Sequence, residues 1–354
     1  MTLVLSNAEI WDLVTMEDLI PAVESAFRET LTGDAITRVR LNFVVPTSGE
    51  NRYWSSIMSG AIPSVHAFAI RVISSPVRDV VVDGQKRREF PGDFTGLVYL
   101  YDTETAELQA VMHDHFFSVM TVAAVSGVAA RQMARKDSRR LGLFGAGEQA
   151  KTQLLAMKAV RPIQTVKVYS LRRERRETFA REMSELTGLE IRAVDRPEDA
   201  VIGCDIVNAA TNSNEPVFDS TWLEPGTHVT TVVGGFYDLF RDEVDRNAYL
   251  RSQVIAVSTF DQVTFERQGF IYQLLEEGAV RREQIQELAE MAAGRKPGRR
   301  SPADITLFKN NHVAGIQIAA MARLVYEAAR KKGIGHELST ELFVTRRGDG
   351  TWAP

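Results

Sequence analysis

The chemistry most plainly written in this chain lies in Arg139-Arg140-Leu141-Gly142-Leu143-Phe144-Gly145-Ala146-Gly147-Glu148-Gln149-Ala150. Its glycines fit G-x-G-x-x-G/A, in which Gly145 permits a tight turn and Gly147 lets a pyrophosphate reach the backbone. Amides at the start of the following helix would meet the negative charge. Context strengthens the pattern: an apolar strand ends directly before Gly145, and Ala150, Leu154 and Met157 form an apolar helix face after it. About twenty residues further on, NAD-preferring loops offer a carboxylate to the adenosine ribose. Here the chain reads Val168-Tyr169-Ser170-Leu171-Arg172-Arg173, a hydroxyl and guanidinium groups suited to a 2′-phosphate. NADP(H) is therefore the expected cofactor and NAD(H) the alternative, although a solvated helix start would also explain the arginines from 172 to 176.

Such a loop needs a parallel sheet to hold it. SVMTVAAVSGVAARQMARKD reads as a helix with Ser118 as N-cap, small residues for close packing and a basic end. Strand-like runs follow at 141–144, 165–170, 189–194, 205–211, 227–233 and 253–259, separated by helical stretches, the rhythm of a doubly wound sheet. The fold class expected is α/β. A Rossmann dinucleotide-binding domain at 121–314 is inserted in a smaller α+β substrate and dimerisation domain built from 1–120 and 315–354. In the N-terminal part, 41–45, 66–74 and 94–101 read as strands. Residues 75–92, with Asp83-Gly84 and Lys86, Arg87 and Arg88, read as an excursion or a long hairpin with a solvated basic tip. After the loop GRKPGRRSPAD, ITLFKNN leads to an amphipathic helix from His312 to about Lys332, and the tail beyond Gly333 is expected to return to the N-terminal domain.

Composition excludes several function classes. The chain has 354 residues, 44% hydrophobic and 25% charged, enough for about two ordinary cores. Its 42 basic and 46 acidic side chains leave a net charge of −4, without the basic footprint of a nucleic-acid or anionic-lipid binder. No run approaches the roughly 20 apolar residues of a membrane span, and the N-terminus lacks signal-peptide grammar. The expectation is a cytoplasmic protein acting on a small molecule, with neither nucleic acid nor membrane as partner. The single Cys204 sits in an apolar run and reads as a buried thiol. His113-Asp114-His115 has ligand-like spacing but no third ligand nearby, so no metal is expected and either histidine could face a substrate cleft. His228 reads as a structural hydrogen-bonding residue, and Tyr53 and Trp54 as pocket lining or packing beneath a sheet.

The chain resembles the ornithine cyclodeaminase/μ-crystallin family over nearly its whole length. The resemblance rests on LVYLYDTETAEL at 97–108, VAAVSGVAARQMAR at 122–135, LGLFGAGEQA at 141–150, DIVNAATNSNEPVF at 205–218, GTHV at 226–229 and the terminal ITLFKN…AAMARLVYEAARKKGIG. It implies a Rossmann domain paired with an N-terminal domain that the C-terminal segment completes, and sheets that associate in a homodimer. It also implies a nicotinamide cofactor and the interconversion of an amine with an imine or ketone beside a carboxylate. Matching the family's motifs assigns Gly145, Gly147, Glu148 and Gln149 to the cofactor loop. Ser170, Leu171 and Arg172 fall in the ribose turn, and Ala210, Thr211 and Ser213 in the stretch lining the cofactor.

Three positions depart from the family. Its usual lysine falls on Arg71, which can clamp a carboxylate but offers no titratable amine. Its carboxylate-binding arginine falls on Thr121, and its N-terminal arginine on Arg38 or Arg40, of which Arg40 is carried forward as a substrate contact. Its loop aspartate aligns with Gly235 or Tyr237; Asp238, one residue on, is the candidate acid or base, and equally a helix cap. These residues imply an NADP(H)-dependent oxidoreductase acting on a C–N bond of a small carboxylate-bearing substrate. The alternatives are an NAD-dependent cyclodeaminase of a diamino acid and a catalytically silent nucleotide-binding protein.

Overall fold

The computed structural model describes residues 1–82, 85–234, 239–311 and 315–345. Two sheets divide them. The first is mixed and runs His336–Leu338, Thr2–Leu5, Leu108–His113, Thr95–Tyr101, Ala67–Val82, Arg52–Ile62, Ile36–Thr37. Leu41–Pro46 also pairs with Arg52–Ile62, and Gln85–Glu89 with Ala67–Val82, so the 75–92 excursion is a hairpin whose turn, Asp83-Gly84, lies outside the described residues. The strand His336–Leu338 lies antiparallel to Thr2–Leu5, which returns the tail to the N-terminal sheet as expected.

Strict alternation sorts this sheet into two faces. Ala69, Val98, Leu100, Ala110 and Met112 are buried under Leu19, Ile20 and Val23 of the Met16–Glu29 helix and Ile318, Met321 and Ala322 of the Gly315–Lys332 helix. The expected start of the latter helix, His312, lies outside the described residues. It meets the sheet backbone to backbone: a methyl at Gly60 would lie 2.3 Å from the Ile316 amide nitrogen. The opposite face presents Ile57, Phe68, Ile70, Val72, Leu97 and Tyr99, each only half-buried.

The second sheet is parallel throughout, in the order Glu190–Ala193, Thr165–Tyr169, Arg140–Phe144, Ile206–Ala209, His228–Thr231, Thr306–Lys309, Val254–Val257, Ile285–Glu287. Its order reverses between Arg140–Phe144 and Ile206–Ala209, the switch point at which doubly wound sheets bind ligands. Gly145 follows the strand at that point.

Between the sheets runs the helix His115–Met133. Its N-cap is Asp114, four residues before the expected Ser118, because Phe116 and Phe117 are fully buried and continue its packed face. By length and composition this helix could cross a membrane, but 83% of its 18-residue window is buried inside the protein, which makes it the core helix on which both sheets lean.

Candidate active site

The glycine loop has the geometry its sequence implies. Gly145 adopts φ +105°, and a methyl there would lie 2.2 Å from the Ala210 carbonyl oxygen, so only glycine fits. Gly147 is the N-cap of the Glu148–Val160 helix and has open space where a side chain would project, a cradle that a Cβ would fill. These two observations fit a dinucleotide pyrophosphate resting on the helix start. Gln149 donates from Nε2 to the Ser118 carbonyl at 3.0 Å, which ties this helix to the central one, and Glu148 lies 3.2 Å from His115 Nε2. His113 accepts from the His115 amide through Nδ1, and among the described residues no cluster of three or more His, Cys, Asp or Glu could hold a metal.

At the ribose turn Leu171 is 89% exposed and Arg172, N-cap of the Arg173–Thr187 helix, is exposed beside it. The neighbouring Arg176 has a structural task. It is buried, donates to the Ser170 carbonyl at 2.9 Å and pairs with Asp195, so it holds the turn in shape and leaves Arg172 pointing outward at its edge.

The third cofactor block is held from below by a residue that sequence reasoning missed. Glu243 is fully buried and accepts five hydrogen bonds: from the Thr211 amide and hydroxyl at 2.5 and 2.7 Å, the Thr231 hydroxyl at 2.9 Å, and the Val232 and Val233 amides at 2.9 and 2.8 Å. Burial pushes its carboxyl pKa up in spite of these donors. Ala210 donates its amide to the Phe144 carbonyl at 2.8 Å, and Ser213 its amide to the Thr211 hydroxyl at 3.1 Å. Alongside, the buried Lys309 lies 3.4 Å from Asp242, which also accepts from Tyr249 Oη at 2.9 Å and the Phe270 amide at 3.0 Å. Glu243 and Asp242 thus fix the segment after Val233 where it returns to the sheet. Asp238, with residues 235–237, lies outside the described residues.

The substrate candidates meet in one cavity of about 260 Å³. Its floor is the helix-covered face of the mixed sheet, where Trp54, Ser56 and Met58 on one strand stand beside Arg71 and Ile73 on the next. Its walls are Ser118, Thr121 and Val122 of the central helix, Gln149 of the cofactor helix and Gln317 of the Gly315–Lys332 helix. Arg40 also lines it, whereas Arg38 is exposed and donates to the Thr37 carbonyl.

Both arginines arrive with a partner. Arg71, 7% exposed, gives Nε and Nη2 to the carboxylate of Asp114, with Nη2 at 2.9 Å and Asp114 wholly buried. Gly96 makes room for that carboxylate, since a methyl there would stand 2.6 Å from Asp114 Cβ. Arg40 gives Nε and Nη2 to Glu266 at 2.7–3.0 Å, and Asn42 and Gln268 donate to the same buried carboxylate at 3.0 and 2.7 Å. A guanidinium carries five N–H donors, so each keeps N–H groups beyond those its carboxylate takes. Thr121 faces the cavity but spends its hydroxyl on the Phe117 carbonyl at 2.6 Å, so it does not replace the donor that an arginine would have brought.

Two other readings are corrected. Arg88 is not part of a solvated tip: its side chain is 3% exposed and, with Lys86 and Arg52, surrounds Asp79. The hairpin folds down instead, and its Lys86 carbonyl accepts from Asn214 at 3.1 Å. Trp54 both lines the cavity and packs edge-on against Phe90 at 5.1 Å, whereas Tyr53 points to the other face of the sheet.

Comparison with known proteins agrees with this geometry. The family model described as ornithine cyclodeaminase/mu-crystallin family matches residues 1–333. A Δ1-pyrroline-2-carboxylate reductase of Bacillus cereus is 28% identical over 337 residues, 95% of this chain and 99% of its own. The structure of Thermococcus litoralis Δ1-pyrroline-2-carboxylate reductase, in complex with NADH and L-proline, superposes with a TM-score of 0.83 at 32% identity, covering 95% of this chain and all of the other. An archaeal alanine dehydrogenase dimer with bound NAD gives 0.80 at 26% identity, over 96% and 99%.

Proposed function

Because the chain belongs to the ornithine cyclodeaminase/mu-crystallin family, we propose that it is a nicotinamide-dependent oxidoreductase that reduces an imine, or oxidises the corresponding amine, in a small substrate bearing a carboxylate. One observation carries this reading. The cavity that contains Arg40 and Arg71 is walled by Gln149, a residue of the first turn of the cofactor helix, so an anion-binding floor and a cofactor cradle open on the same space. The similar reductase solved with NADH and L-proline and the similar alanine dehydrogenase solved with NAD support the same chemistry.

When bound, the nicotinamide supplies or takes the hydride. This chain's own residues do the rest. The Glu148–Val160 helix start and Gly147 would receive the pyrophosphate, Thr211 and Ser213 the nicotinamide half, and Ser170, Leu171 and Arg172 the adenosine ribose. Arg71 and Arg40 hold the substrate carboxylate through the N–H groups that Asp114 and Glu266 leave, which fixes the C–N bond relative to the loop. Asp238 is the proposed proton donor to the nitrogen. NADP(H) is the proposed preference, supported by the exposed Arg172 and by the lack of any acidic side chain from 168 to 173. The half-buried apolar face of the mixed sheet is the proposed homodimer surface. A redox-neutral cyclodeaminase is the second reading. It is weakened because the carboxylates of Asp114 and Glu266, which could have met a second ammonium group, are already taken by arginines.

The test is consumption of NADPH, with NADH in parallel, against cyclic imino acids and against 2-oxo acids mixed with ammonia or alkylamines. Turnover with NADPH preferred, lost in Arg71→Ala and shifted towards NADH in Arg172→Ala, is the expected result. NADH preference unchanged in Arg172→Ala overturns the phosphate assignment. Cofactor binding without turnover of any imine or amine favours the silent binding protein.

A further inference from the structure

Four side chains of the cavity have buried polar atoms with no partner, Trp54 Nε1, Ser56 Oγ, Gln149 Oε1 and Gln317 Oε1, and three of them, Trp54, Ser56 and Gln317, lie on or against the mixed sheet. Ser56 is 1% exposed and Gln317 2% exposed. Burial of an unpaired polar atom is costly, and such atoms are rare in folded proteins unless a ligand or water meets them. These three do not fall together by accident of surface. Trp54 and Ser56 are alternate residues on one strand and project from the same face, and Gln317 stands in the first turn of a helix pressed onto that strand at Gly60. They form a patch distinct from the arginines, and they offer what the arginines lack: a neutral donor, a hydroxyl that donates and accepts, and an amide carbonyl that accepts.

Charge narrows what the patch can take. The charged residues lining the cavity are Arg40 and Arg71, and each already has its carboxylate in Glu266 or Asp114. A second ammonium or second carboxylate on the substrate would be desolvated against neutral groups. An alkyl group would leave all three atoms unpaired.

We infer that Trp54, Ser56 and Gln317 form a subsite for an uncharged hydrogen-bonding group, a hydroxyl or carboxamide, carried by the substrate in addition to its carboxylate. This rests on the reading of the cavity as the substrate site. It selects against analogues lacking that group, because a site built to pair a polar group rejects the isostere that leaves its own atoms bare.

The experiment compares matched ligands. With the reduced cofactor, kcat/KM is measured for Δ1-pyrroline-2-carboxylate and its 4-hydroxy derivative. With the oxidised cofactor present, dissociation constants are measured by calorimetry for 4-hydroxyproline against proline and for asparagine against leucine. At least one polar member is expected to be favoured tenfold or more, and Ser56→Ala and Gln317→Met to bring that ratio to within about threefold of unity without changing the dissociation constant of the cofactor alone. Preference for the apolar member of both pairs, or a polar preference untouched in both variants, overturns the subsite. Absence of turnover with intact polar preference in binding would sink the reductase reading and leave the subsite standing, so the two failures are separable.

Discussion

The Arg71–Asp114 pair gives the sharpest quantitative test of the site. Asp114 is wholly buried and Arg71 is 7% exposed, so neither charge has water to fall back on. Asp114→Asn keeps shape and volume but leaves a buried guanidinium without its counter-charge, a change that costs about 3–5 kcal/mol. For a protein of this size that is a fall in Tm on the order of 10 °C. Arg71→Met leaves the opposite orphan and should destabilise by a similar amount. The double variant removes both charges together, and its stability should return to within about 1–2 kcal/mol of the wild type, since no charge is left to desolvate and only the amide at 114 lacks a partner. Function should not follow stability. Loss of a charge-assisted hydrogen bond to a substrate carboxylate is worth about 1.5–3 kcal/mol, roughly a 10- to 150-fold rise in KM, and the double variant has no guanidinium at position 71 with which to recover it. Thermal denaturation and steady-state kinetics on the four proteins read both quantities. A cost below about 1 kcal/mol for Asp114→Asn, or a double variant as unstable as the worse single one, would refute the reasoning.

The other predictions are briefer. Gly147→Ala should fold with an unchanged Tm, because its methyl meets open space, yet bind NADPH and NADH at least tenfold more weakly, whereas Gly145→Ala, at φ +105° and against the Ala210 carbonyl, should lose stability as well; equal Tm values would contradict the loop geometry. Burial holds the His228 pKa well below its ordinary value. The unfolded chain then binds a proton that the folded one refuses, so stability present above about pH 6.5 is lost as pH falls below it, at up to about 1.4 kcal/mol per pH unit. A His228→Gln variant should show a flatter urea midpoint between pH 6.5 and 5 than the wild type, and parallel profiles would show that the imidazole is not the group responsible. The Cys204 thiol is pushed up to about 11 by burial, so it should not react with a disulfide reagent at pH 8 until the protein is unfolded; stoichiometric labelling of the native protein would place it at the surface.

What the sequence disclosed follows the range of the interactions involved. The cofactor loop was legible because a strand, a glycine turn and a helix are contiguous, and each glycine has a local reason to be there. The two arginine clamps were half legible. Arg71 stood out as a cation in an apolar strand, but Asp114 lies 43 residues away and Glu266 lies 226 residues from Arg40, separations across which no periodicity reports. Asp114 was also disguised by its neighbours. Flanked by two histidines ahead of Ser118, it showed only as the middle of a ligand-like spacing, and its carboxylate gives no capping hydrogen bond because Arg71 occupies it. Glu243 carried no signal of its own in the sequence; its five donors come from two stretches of chain, at Thr211 and at 231–233, both remote from it in sequence. The solvated reading of Arg88 failed for the same reason, since a hairpin tip rich in charge does not announce that Asp79 on its partner strand will draw those charges inward.

The departures at 71 and 121 make sense together. With threonine at 121 and its hydroxyl spent within its own helix, Arg71 and Arg40 are the cations that line the cavity, and the proposed carboxylate recognition falls to them. Asp114 and Glu266 nearly cancel the charge of those two guanidinium groups, but they also fix the plane of each. A lysine at 71, a flexible stem with a point charge, would gain little from a single buried carboxylate beside it, whereas a guanidinium can give one edge to Asp114 and aim another at a ligand. Recognition in this cavity therefore depends on direction more than on net charge, and the neutral polar atoms of Trp54, Ser56 and Gln317 belong to the same design. If the cavity is the substrate site proposed above, a substrate is selected there by where its hydrogen-bonding groups stand, and one that matches only in charge should be a poor substrate.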